Sequence, residues 1–353
     1  MAAGTADFFD EPQFIVAGVT DASTPGGHGV DTVVRTKEAL AKDTASLSGD
    51  ATVSPHTPKS QTQTEKSLRT ALEREPNNAV LHHSLGDVEE KLGNPLEAVR
   101  EYQRAAELGP SEPNLFDWGA ELLIHRAFEP ASEVFTRGNH LFPGSVRMLI
   151  GLGVALYNRG AYDWAAQRLC EASDLRPTDP NPYLFMGKIQ AVEIGQPEGM
   201  GERLERFARL QPENALANYY YAVSVWQQRN GPEDAETSVR VEGLLEKAVH
   251  LDPKLAPAYL QLGVLYAERK DWQRAILSYR EATAANPQLE EAHYRLAQAY
   301  RQTGAKMKAQ QELELHAQIK REAAEQAERE RREIREFVYT LRDRSPGTPP
   351  EKP

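Results

Sequence analysis

At 353 residues, with 40% hydrophobic and 26% charged content, the chain is long enough for several domains or for one elongated array. A net charge of −11 leaves no basic excess to offset phosphate repulsion, which excludes nucleic acid as the default partner. The single cysteine, Cys170, excludes an internal disulfide and a cysteine-rich metal site.

The opening MAAGTADFFDEPQ lacks the basic start and apolar core of a secretory leader. No apolar run reaches the roughly 18 residues that a membrane span requires. As written the chain is cytoplasmic; a leader removed from its start would make it exported or periplasmic. Residues 1–50 read as an irregular segment with Phe8 and Phe9, then a β-prone run containing Phe14, Ile15, Val16 and Val19. A short helix is expected over Thr32–Lys42. Gly26-Gly27-His28-Gly29 is the one glycine cluster able to cradle a phosphate, but no Lys-Ser/Thr pair or helix start follows it, so it reads as a turn. Residues 51–64 are polar with two prolines and read as a linker.

A regular pattern begins at Glu65 with a half unit in which Leu68, Ala71 and Leu72 lead to Pro76. Later helix-ending prolines fall at Pro110, Pro143, Pro177, Pro212, Pro253 and Pro287, in steps of 34, 33, 34, 35, 41 and 34. Small residues keep the same rhythm at Gly86, Gly119, Gly153, Gly187, Ala222, Gly263 and Ala297. The clearest unit is Ala256–Leu289. Its first helix carries Tyr259, Leu262, Gly263 and Tyr266 on one face, and Asp271 is placed to cap a second helix bearing Ala275, Tyr279 and Ala282. Gly263, Ala275 and Ala282 lack bulk where two helices must approach, and the tyrosines fill the space around them.

That order of large, small and proline positions over 34 residues resembles the tetratricopeptide repeat family. The resemblance implies an all-α, right-handed solenoid. After a half repeat at 65–78, repeats are expected at about 79–111, 112–145, 146–179, 180–214, 215–255, 256–289 and 290–317. Two depart from the pattern. Gly195–Gly201 loosens the turn of the fourth, and the seven-residue surplus of the fifth predicts a longer second helix from Pro232-Glu233-Asp234. A charged helix at 318–344 and a disordered tail at 345–353 follow. On that helix, Ile334, Phe337, Val338 and Leu341 share one face and offer a route to self-association.

No catalytic constellation stands out, and no cofactor or metal is expected. His82 and His83 cannot point the same way on a helix, and Cys170 has no activating neighbour in sequence. The resemblance implies instead that the second, fifth, ninth and twelfth positions of each first helix line a concave groove. There Phe116, Ile150, Val154, Tyr157, Leu184, Tyr219, Val223, Trp226, Leu260, Val264 and Tyr294 make an apolar ladder. His83 and Asp87 stand where some family members carry the lysine and asparagine of a clamp for acidic tails, so that ligand class does not transfer. An exposed apolar ladder marks a binding surface. The expected function is a non-enzymatic scaffold that takes an extended peptide or amphipathic helix from a protein partner, with Phe8, Phe9, Phe14, Ile15 and Val16 as an in-chain ligand. An arm of an enzyme complex and a self-associating structural protein are the other readings.

Overall fold

The computed structural model describes residues 58–192, 197–229 and 235–343, which form fifteen α-helices and no strand. The expected in-chain ligand, the Gly26–Gly29 turn and the start of the fifth repeat's second helix lie outside the described residues. The helices are α1 (Pro58–Arg74), α2 (Ala79–Leu92), α3 (Pro95–Leu108), α4 (Glu112–Ile124), α5 (Phe128–Leu141), α6 (Val146–Asn158), α7 (Tyr162–Leu175) and α8 (Asn181–Val192). They continue as α9 (Met200–Leu210), α10 (Ala215–Gln227), α11 (Ala235–Leu251), α12 (Ala256–Glu268), α13 (Trp272–Ala285), α14 (Glu290–Gln302) and α15 (Lys306–Asp343). Each even-numbered helix opens a repeat and the next one closes it.

Sequence sets these bounds. Asn78, Ser145, Asn214 and Asp271 each accept a backbone N–H of the following first turn. Between paired helices one residue adopts positive φ: Gly93, Gly160 and Gly304 do so freely, whereas Arg126 and Lys270 do so at φ 57° and 58°. The expected linker is partly helical, because α1 begins at Pro58, where proline is tolerated in a first turn and no glycine follows. The fourth repeat's second helix is shortened to 11 residues, and the fifth's lengthened to 17 against the usual 14.

Packing inside a repeat follows a fixed offset. Tyr102 fills the space over Gly86, Phe135 over Gly119, Leu169 over Gly153 and Tyr279 over Gly263, so a Cβ on any of these glycines would meet that side chain at 2.8 Å or less. Successive repeats are also stitched by polar side chains. His82 Nε2 lies 3.0 Å from the Pro76 carbonyl and His293 Nε2 3.0 Å from that of Pro287, while Tyr183 and Asn218 donate to the carbonyls of Pro177 and Pro212 at 2.9 Å. The carbonyls of Pro76, Pro177, Pro212 and Pro287 are thus paired by the repeat that follows each.

Internal contacts divide the array within α8. Among the described residues one unit holds Met186–Glu322, and the other holds residues 58–185 together with residues 323–343.

Candidate interaction surface

In the 58–185 unit the inner positions start polar. His83 Nε2 sits 2.8 Å from Asp117 Oδ2, and the Tyr102 hydroxyl lies 2.8 Å from both Asp87 Oδ1 and Glu90 Oε2. Burial and those two carboxylates push the Tyr102 phenol well above its ordinary range, so it remains a donor. Asp117, Glu121 and His125 follow at four-residue spacing along and just past α4, on one face. Glu121 is buried, and its Oε1 lies 3.2 Å from His125 Nε2. The His125 ring is stacked by Phe337 of α15, with centroids 4.9 Å apart and planes 26° apart.

The apolar inner positions of this unit are more enclosed than the ladder expectation held. Phe116, Ile150 and Val154 are buried; Tyr157 and Leu184 are half-buried. Phe116 is covered by the edge of Phe135 at 6.0 Å and by the Arg147 guanidinium 4.9 Å above its ring. Tyr157 packs between Tyr162 and Phe185, and burial raises its hydroxyl's pKa.

The Met186–Glu322 unit repeats that outcome. Tyr219, Val223, Trp226, Leu260 and Val264 are buried, and only Tyr294 of the ladder is open, at 37% exposure. Trp226 is capped by the Arg229 guanidinium at 3.7 Å, which also makes two bonds to Glu268 at 2.9 and 3.1 Å. Tyr219 lies against Tyr220 at 5.3 Å. Lys188 is half-buried on this inner face, and loss of solvent lowers its ammonium to about 8.

The expected open ladder is therefore corrected. The eleven residues do occupy first helices, but neighbouring side chains cover eight of them. Tyr157, Leu184 and Tyr294 keep accessible surface. The Arg229–Glu268 clamp and the His125–Phe337 stack were not anticipated; opposite charges near the close of the first helices of adjacent repeats could have signalled the first. Cys170 is buried, and among the described residues no group of three His, Cys, Asp or Glu side chains is arranged to hold a metal. No helix among them is long and apolar enough to cross a membrane.

Two family models match the chain at separate stretches of this array: "Tetratricopeptide repeat" over residues 65–113 and "TPR repeat" over residues 265–304. The chain carries tetratricopeptide repeats at both stretches. Between those stretches the period and the paired helices continue. Among solved structures, the repeat protein is similar to a chain of the APC/C hetero-tetramer Cut9-Hcn1 at 17% identity, over 76% of this chain and 52% of that one, with a TM-score of 0.49. It thus spans about half the length of that protein. It is also similar to the C-terminal part of a TPR repeat-containing protein from Cytophaga hutchinsonii, at 14% identity over 67% of this chain and 94% of that one, TM-score 0.48. A tetratricopeptide repeat protein from Parabacteroides merdae matches at 15% identity over 77% and 99%, TM-score 0.43. No curated protein matches the sequence.

Proposed function

We propose that the chain is a non-enzymatic interaction scaffold whose first helices receive an extended peptide or an amphipathic helix from a protein partner. The observation behind this reading is the pattern of residual exposure. Tyr157 and Leu184 in one unit, and Tyr294 in the other, present partly open apolar or aromatic side chains on the inner helix positions, supported from behind by a buried layer. Rigid aromatic anchors on a packed base are what a peptide-binding surface uses. The N-terminal Phe8, Phe9, Phe14, Ile15 and Val16 are retained as an in-chain competitor for it.

Substitution of the buried ladder members would test folding rather than binding, so the test uses the half-buried Tyr157 and the exposed Tyr294. Peptides selected from a displayed library on the wild-type chain should lose at least tenfold in affinity to a Tyr157→Ser, Tyr294→Ser variant whose thermal unfolding is unchanged. Equal binding to both would overturn the reading. Deletion of residues 1–50 should raise the affinity of the same peptides; unchanged affinity removes the in-chain competitor.

A further inference from the structure

The far end of α15 does not behave as a solvated rod. Lys320–Glu325 is exposed at every position. Half-buried positions then resume at Gln326, Ala327, Ile334, Phe337 and Thr340, while Glu328, Arg329, Arg331, Arg332 and Arg335 are exposed. At about 100° per residue, the first set falls within an arc of about 140° and the second lies opposite. A helix surrounded by water has no such stripe, so this face lies against protein.

What it meets is specific. Phe337, within the stripe, stacks on the His125 ring. That ring is held independently of α15. His125 ends α4, its backbone N–H closes on the Glu121 and Leu123 carbonyls, and its Nε2 lies beside the buried Glu121 carboxylate. An aromatic acceptor is therefore held in place by the second repeat alone.

We infer that this face of the 58–185 unit, centred on His125, is a docking site for an amphipathic helix that carries an aromatic side chain, and that the chain covers it in cis with its own residues 326–340. The inference deepens the scaffold reading, since a partner helix of the same pattern must displace the resident one. It uses residues separate from the Tyr157 and Tyr294 test, so either can fail without the other.

Hydrogen exchange on the full chain measures the docking. Amides of residues 326–340 should exchange at least tenfold more slowly than those of 320–325, and Phe337→Ser should erase the difference. Equal rates in the wild type overturn the proposal. Protection that grows with protein concentration assigns the site to a second copy and overturns the cis reading. A peptide spanning residues 326–343 then tests displacement. It should bind the Phe337→Ser chain at least tenfold more tightly than the wild type, whose tethered segment competes at an effective concentration on the order of millimolar. Adding His125→Ala to that variant should abolish the gain. Equal binding to variant and wild type, binding to neither, or indifference to His125→Ala overturns the proposal.

Discussion

At the scale of single residues, the packing of this array turns on atoms that are missing. A Cβ on Gly263 would stand 2.3 Å from Tyr279 Cε1, and Tyr279 is itself buried. Gly263→Ala should therefore destabilise by about 1–3 kcal/mol, read as a lower denaturation midpoint at unchanged slope. Lys188 predicts a pH effect of definite sign. Its folded pKa of about 8 lies below the ordinary lysine value of 10.5, so between those values the unfolded chain holds a proton that the folded chain has released. Stability then rises with pH across that window, and below about pH 8 the cost of burying the charge is constant. In Lys188→Met this part of the rise should vanish, and the variant should melt higher than wild type at pH 7.

At the scale of elements, two features invite substitution. Arg126 and Lys270 occupy left-handed turn positions that glycine fills at 93, 160 and 304. Lys270→Gly should raise stability by up to about 1 kcal/mol, the relief of a side chain in that region less the added freedom of the unfolded chain. An ion pair joins the half repeat to the first full repeat. Arg69 Nη2 reaches the buried carboxylate of Glu89 at 2.6 Å, with Asn94 donating to the other oxygen at 2.8 Å. Arg69→Met should cost about 1–3 kcal/mol by leaving that oxygen unpaired, and a second change, Glu89→Gln, should recover part of it. Denaturant titration of the single and double variants checks both halves.

The elements also show why fold and surface were unequally legible. Gly86, Tyr102 and Pro110 record contacts made inside one repeat or at its end, and such contacts recur with the sequence period. Phe116 and Trp226 are closed over in part by arginines, Arg147 from the next repeat and an Arg229 that Glu268 of the next repeat holds, and the repeat pattern does not specify those side chains. Both were read as open and are covered, by Phe135 and Arg147 in one case and Arg229 in the other. Phe337 was visible as one of few apolar residues on a charged helix. Its partner was not, because His125 lies on a different repeat and nothing periodic links them.

At the scale of the molecule, a linear array adds its stability from repeats and their interfaces. The two units, Met186–Glu322 and residues 58–185, should accordingly respond separately to damage. Gly263→Ala should speed hydrogen exchange in α12 to α14 by more than tenfold while exchange in α2 to α6 changes little. Uniform acceleration through both units would show a single cooperative block instead.

The hydrogen bonds to the proline carbonyls bear on how such an array can be taken apart. His82, Tyr183, Asn218 and His293 each reach back across a repeat boundary to the end of the preceding one. A cut at the proline, where the period suggests the modules end, would strand an acceptor on one fragment and its donor on the other. The separable cassette is displaced from the repeat: it runs from the turn inside one helix pair to the turn inside the next, and carries its junction intact. Recombination or engineering that respected those turns would exchange whole junctions and keep these four donor–acceptor pairs together.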